Sequence, residues 1–252
     1  MAIIITRKKR QHPSMLIEAK HDQKPARLPQ GVALLRLLTW LSPAFPIGAF
    51  SYSHGLETAI AKGSIHDRDS MQDWLLNLLA RGSCWSDSVL LAQAWRCGTD
   101  SRQELLSLNE FALALAPSSE RLAETTQLGD AFYKASKAWP TTLHGTLDQQ
   151  RAGPIAQPVI VGAIARAHTI PLEVILPSAS HAFLSNLISV AIRLVPLGQT
   201  DGLALQAALE DPILHMSERA AQASLEDIGT ACLLSDIAAM QHETLTTRIF
   251  RS

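Results

Sequence analysis

An all-α fold, a single bundle of about eight to ten helices, is what the sequence predicts, and three observations carry that expectation. Apolar residues recur at helical spacing through most of the 252 residues. Where a Val/Ile-rich piece such as 158–164 raises a strand alternative, period-two alternation is absent and Ala and Leu dominate the surroundings. No interleaved strand–helix rhythm appears, which argues against a parallel sheet. Hydrophobic residues make up 47% and charged residues 18%, enough apolar surface to exclude a disordered chain. A net charge of −1 gives no global basic excess for nucleic-acid phosphates.

Taken in order, residues 1–29 stand apart. Seven Lys/Arg face two acids there, a local charge of +5 that leaves −6 for residues 30–252. Pro13, Pro25 and Pro29 interrupt any helix, so the segment reads as a basic, flexible, solvated tail. Binding to an acidic surface is its functional alternative. Met15 offers a downstream start. The basic run follows the apolar one, the reverse of a signal peptide, and the chain reads as cytoplasmic.

From residue 30 the helical domain begins. Leu34, Leu35, Leu38 and Leu41 share one helix face. Pro43, Pro46 and Gly48 set a rigid turn, and a helix is expected from about Phe50 to Lys62 with Gly63 as its C-cap. Asp69 or Ser70 caps the next, which turns Met71, Trp74, Leu75, Leu78 and Leu79 inward. Asp87 opens one that runs through Leu90 and Trp95 to Gly98. Asp100 or Ser101 opens another, stopped by Pro117. Ser118 or Ser119 caps a helix that reaches Trp139. Gly153, Pro154 and Pro158 separate two halves of one bundle. An apolar helix from Ser178 to Val195 ends at Pro196-Leu197-Gly198, and Thr200 or Asp201 caps the helix Leu203 to Glu210. Cys84, Cys97 and Cys232 are widely spaced, an odd set that suits core residues in a reducing compartment better than a disulfide framework.

Motifs for chemistry are scarce. There is no phosphate-binding glycine loop, no Gly-x-Ser-x-Gly elbow and no His-Glu-x-x-His. His54 and Glu57 share a helical spacing, and His242 and Glu243 are adjacent. As ligands of a small metal- or cofactor-dependent all-α enzyme they form a sparse set. No metal site and no cofactor are expected.

Three segments invite another reading. In 42–57 the aromatics Phe45, Phe50 and Tyr52 stand among serines on a Pro-stiffened turn, either as plugs of a buried turn or as a preorganised docking surface. In 191–202 an apolar helix delivers Arg193 near its end, followed by Gln199, Thr200 and Asp201. Arg193 either complements the helix terminus or, with Gln199, contacts a phosphate-bearing partner. In 235–252 Met240, Leu245, Ile249 and Phe250 recur at near-helical spacing beside Arg248 and Arg251. That pattern suits either a last helix on its own core or a segment that orders in a partner's groove.

Together these segments resemble the urease accessory protein UreF family. Ser42-Pro-Ala-Phe-Pro-Ile-Gly-Ala-Phe-Ser-Tyr-Ser-His-Gly-Leu-Glu57 is similar to the family's N-terminal signature, and residues 184–202 to its central one. Met240-Gln-His-Glu-Thr with Arg248-Ile-Phe-Arg-Ser252 is similar to its terminal one. The resemblance spans about residues 31–252. Gln157 stands where the family often has His, Thr125 near where it usually has Arg, and Leu245 or Thr246 near a usual Tyr.

The resemblance implies an all-α, non-catalytic assembly factor that forms homodimers. Such a factor binds UreD (also called UreH), recruits the GTPase UreG and serves nickel insertion into apo-urease, whose active-site lysine is carbamylated. On this reading the partner-facing candidates are Phe50, Tyr52, Glu57, Arg193, Gln199, Asp201, Met240, His242, Glu243, Arg248, Phe250 and Arg251. Residues 231–252 then form the partner-binding tail, and Arg193 is the candidate for an effect on GTP hydrolysis.

Overall fold

The computed structural model describes residues 30–98, 101–151, 153–229 and 231–252. The basic segment 1–29 and Asp100 lie outside the described residues. Those described form twelve α-helices, two 3-10 turns and no strand. In order, α1 is Gln30–Trp40, α2 Leu56–Ala61, α3 Arg68–Arg81, α4 Ser83–Cys97, α5 Arg102–Ala114 and α6 Ser119–Ser136. They are followed by α7 Thr142–Gln150, α8 Gln157–Ala167, α9 Leu172–Leu194, α10 Gln199–Ala208, α11 Glu210–Ala220 and α12 Leu233–His242. The all-α class is as expected. The segments are more numerous because 142–150 and 210–220, which the sequence reading left unassigned, are helices as well.

At the centre lies α4, packed against α3, α5, α8, α9 and α11. Its inward residues Val89, Leu90, Leu91, Ala92 and Ala94 are buried, as is nearly all of α8 from Pro158 to Ala165. These two helices meet closely because α8 carries Gly162: a Cβ there would lie 2.3 Å from the Leu91 carbonyl oxygen. The Val/Ile-rich piece is thus helical, as expected, and its branched residues fill the space around α4. The longest helix, α9, is apolar and long enough to cross a membrane by composition, yet it packs on α2, α4, α10 and α11.

Local rules explain most boundaries. The cap of α3 is Asp67, two residues ahead of the expected Asp69: its Oδ1 accepts the Ser70 N–H at 2.8 Å, and Ser70 Oγ accepts the Asp67 N–H at 3.1 Å. Ser118 caps α6 by accepting the Arg121 N–H, and Gly63 takes a left-handed φ of 74° after α2. Asp87 opens no helix. It sits one turn inside α4, which starts at Ser83 after the extended Gly82. The last long helix begins at Leu172, ahead of the expected Ser178, and tolerates Pro177 in its second turn. Residues 142–150, unassigned by periodicity, form α7.

In α1 the buried face is Ala33, Leu37 and Trp40, while the leucine stripe stays outside: Leu34, Leu35 and Leu38 are 55%, 65% and 62% exposed. Trp40 decides the orientation. Its ring meets Phe132 and Trp139 edge-on at 5.9 Å each. On the same helix Arg36 Nη1 lies 2.5 Å from Nδ1 of His168. Burial, with Arg36 alongside, lowers the His168 pKa to about 4, which suits an imidazole that accepts.

Candidate functional site

The helix expected from Phe50 starts only at Leu56. A 3-10 turn covers Ala49–Ser51, Tyr52 is extended, and His54 and Gly55 take left-handed φ values of 58° and 77°. Gly55 is required here twice over, since a Cβ would also meet the Ala239 backbone nitrogen of α12 at 2.7 Å. The extended stretch is occupied by the far end of the chain. The Arg251 N–H donates to the Ser51 carbonyl at 2.8 Å, and the Ser53 N–H to the Ser252 carbonyl at 2.7 Å. From α9, Asn186 Nδ2 donates to the Tyr52 carbonyl.

Three carboxylates hold this joint. Glu57 Oε1 accepts the Ile249 N–H at 2.8 Å, and its Oε2 accepts the Phe250 N–H at 3.0 Å. His242 is wholly buried, with Nε2 3.2 Å from Glu57 Oε2 and Nδ1 2.6 Å from Glu120 Oε2. Arg248 Nη1 reaches the other Glu120 oxygen at 2.5 Å. Deeper still, Glu124 Oε2 accepts the Ser252 hydroxyl at 2.7 Å and pairs with Arg121, while its Oε1 lies 3.4 Å from His54 Nδ1. Burial alone would raise the Glu124 pKa, but Arg121 and His54 outweigh it and hold the carboxyl well below its usual range. Desolvation, with Arg121 adding to it, lowers the His54 pKa to about 4.

Beside this cluster is a cavity of about 120 Å³ whose largely apolar walls also present His54, Ser83, Asp87, Arg121, Thr125 and Ser235. That volume accommodates several waters among polar partners. Ser83 Oγ lies 2.5 Å from His54 Nε2. Burial raises the Asp87 carboxyl to about 6, with Arg121 opposing and Glu124 reinforcing.

The expected residues are thus distributed unevenly. Tyr52, Glu57, His242 and Phe250 converge, but inside the molecule, and their side chains build the seat of the tail. Tyr52 donates its hydroxyl to Gln127 at 2.6 Å, and Arg251 approaches the same amide oxygen. Outside stand Phe50 at 57%, Met240 at 48% and Ile249 at 74% exposure. Arg193 is exposed, its guanidinium 5.9 Å from the Phe250 ring centroid. Glu243 points away from His242 and accepts the Ser119 N–H and hydroxyl at the start of α6. Those hydrogen bonds keep its carboxyl below the usual range. Gln199 and Asp201 are not drawn in: Asp201 accepts the Gly198 N–H and Gln199 is exposed at the first turn of α10.

Of the four residues weighed as metal ligands, only Glu57 and His242 meet. His54 turns to Glu124, Glu57 to His242, and Glu243 to α6, and no group of three or more His, Cys, Asp or Glu among the described residues is arranged to hold an ion. Sequence reasoning missed Glu120, Glu124 and Gln127. Their spacing of four and three along α6 puts them on one face, a polar stripe that was readable but pointed to no partner.

The arrangement clamps a chain segment so that one edge of that segment faces outward. Comparison with known proteins bears on what such an edge is for. A family model described as UreF matches residues 65–210. "Urease accessory protein UreF 1" of Brucella abortus biovar 1 (strain 9-941) is 46% identical over 220 residues, 87% of this chain and 94% of its own length. "Urease accessory protein UreF" of Rhizobium etli (strain CIAT 652) is 48% identical over 220 residues, 87% and 96% of the two chains. The protein of that name from Rhodopseudomonas palustris (strain BisB5) is 44% identical over 230 residues, 90% and 95%.

Proposed function

The chain belongs to the UreF family of urease accessory proteins, and from that premise we propose that it is a scaffold which presents its C-terminal segment to UreD/UreH. On this reading it works as a cytoplasmic homodimer that recruits the GTPase UreG, so that nickel, as cargo, reaches apo-urease. One observation carries the proposal. The segment 248–252 is held in place by backbone hydrogen bonds to 51–53 and to Glu57, which leaves Ile249, Arg248 and Arg251 facing out. On α12, Leu233, Leu234, Ile237 and Met240 are also exposed. Holding the segment in advance lowers the ordering cost a partner would otherwise meet. An apolar centre with arginines beside it fits a partner surface of apolar and acidic character.

Removal of residues 231–252 is expected to abolish co-purification with UreD/UreH while circular dichroism keeps most of its helical signal. The point variants Met240→Glu and Ile249→Asp, which leave the seat intact, should weaken capture at least tenfold. Undiminished capture by both point variants would remove the tail from the interface.

Arg193, exposed beside Phe250, supports a further part of the reading, an effect on GTP hydrolysis by UreG. Single-turnover hydrolysis at equal occupancy with wild type and Arg193→Ala tests it, and equal rates would discard it.

A further inference from the structure

The scaffold reading gives no role to the cavity that Asp87 faces. Leu90, Leu115, Pro117, Pro158 and Ile228 supply apolar wall there. Asp87 enters it from α4, and among the described residues no hydrogen-bond donor or ion-pair partner reaches its carboxylate. An ionised carboxylate in such surroundings is costly unless a cation joins it. Burial has raised this carboxyl to about 6 although Arg121 opposes the rise. We propose, on the reading of residues 231–252 as a partner surface, that the cavity receives the ammonium or guanidinium end of one lysine or arginine side chain, carried by the partner that docks on α12.

Charge is the first feature that selects this occupant. Asp87 and Asp236 line the cavity, and the guanidinium in its wall, Arg121, is already paired with Glu124. His54, lowered to about 4, is neutral at pH 7. The balance is negative, so an anion is disfavoured. The second is the chemistry of the wall. A metal ion needs several converging ligands, and no group of three or more His, Cys, Asp or Glu among the described residues is so arranged. A largely apolar wall with one unpaired acid suits methylenes that end in a charge. The third is place. Leu115, Pro117 and Gly229 are lining residues that are also exposed, and they mark the mouth. On α12, Ser235, Asp236 and Ala239 form wall, while Leu234, Ile237 and Met240 beside them face out. A partner lying along that outer row passes the mouth, and one long side chain reaches in. Arg248 and Arg251 come after the end of α12, whereas the wall residues lie in its first two turns. Acidic groups of the partner therefore meet one end of this surface and its basic group the other. A long cationic side chain seated in a desolvated pocket is a usual anchor of an interface.

The test uses the full chain, UreD/UreH capture and n-butylguanidinium chloride as a probe. Asp87→Asn keeps the side chain's shape and should weaken capture at least tenfold, with the circular dichroism spectrum unchanged. Millimolar n-butylguanidinium should cut wild-type capture at least threefold, where equal sodium chloride or n-butanol does not, and should leave the residual capture by Asp87→Asn alone. Capture by Asp87→Asn equal to wild type would overturn the proposal. So would inhibition that sodium chloride reproduces or that persists undiminished in Asp87→Asn. Should that variant fail to fold, competition on the wild-type chain decides, and no inhibition beyond that of sodium chloride overturns it. Probe bound in the cavity, seen as a shift of the His54 ring protons, with capture unaffected would assign the site to a free organic cation and equally overturn it. The tail is read separately. Loss of capture in Met240→Glu and Ile249→Asp with none in Asp87→Asn leaves the tail surface standing, and loss in none of the three removes both.

Discussion

Asp87 and His54 face one cavity and oppose each other as acid and base. Burial raises the carboxyl from 3.8 to about 6 and lowers the imidazole from 6.5 to about 4. Between about pH 4 and 6 the folded chain keeps a proton on Asp87 that the unfolded chain has released. It lacks one on His54 that the unfolded chain holds. The two linkages have opposite sign and cancel each other across this window. In Asp87→Asn the opposing carboxyl is gone, and the His54 linkage stands uncompensated beside that of His168. Relative to wild type, stability should then rise from about pH 4 to 6 by about 1.4 kcal/mol per unit and be lost as acid is added. Urea unfolding at pH 4.5, 5.5 and 6.5 checks this, and parallel curves for variant and wild type would refute the pairing. The sequence marks His54, Glu57 and His242 as notable, but for a weak ligand spacing. What they bind, Glu124, Glu120 and the backbone of 249–250, lies far away along the chain, and side-chain type alone does not encode that register.

Among the elements, α8 and α4 were legible because their apolar composition left no other place for them, whereas their separation was not. Gly162 reads from sequence as a mild helix weakener, and Ala in its place should add up to about 1 kcal/mol. Against that, a Cβ would stand 2.3 Å from the Leu91 carbonyl oxygen, backbone that has no rotamer to yield. Overpacking of this kind costs about 1–3 kcal/mol, so the clash wins and Gly162→Ala should destabilise. Gly145, in α7, has nothing within 4 Å of its Cβ position. Gly145→Ala should therefore stabilise by several tenths of a kcal/mol to about 1. Opposite signs in chemical denaturation confirm the contrast, and a shared sign would mean that α4 and α8 part easily. The same contrast between local and distant information governs 50–62. Its composition suits a helix from Phe50, but residues 251–252 take up the backbone groups of 51–53, and the helix waits until Leu56. In α1 periodicity identified the stripe correctly, but it could not say that a single Trp40 would outcompete three leucines for the core.

For the molecule as a whole, the chain closes on itself: its last residues dock on the loop that follows its first described helix, through groups supplied by α2, α6 and α12. This closure rests on polar contacts around Glu57, while the centre rests on apolar packing between α4 and α8. The two should therefore open at different free energies. Glu57→Gln keeps the side chain's volume but removes the charge and turns one acceptor into a donor, facing a backbone N–H. Hydrogen bonds to a charged acceptor contribute about 1.5–3 kcal/mol. Amide exchange at Ile249 and Phe250, and with them Arg251 and Ser53, should then accelerate at least tenfold, since 1.4 kcal/mol is one decade. Amides within α4 and α8 should keep their wild-type rates, because none of their packing partners changes. Should the core amides accelerate in step with the tail, closure and core would be one cooperative unit, and the tail could not be presented or withdrawn without unfolding the scaffold that carries it.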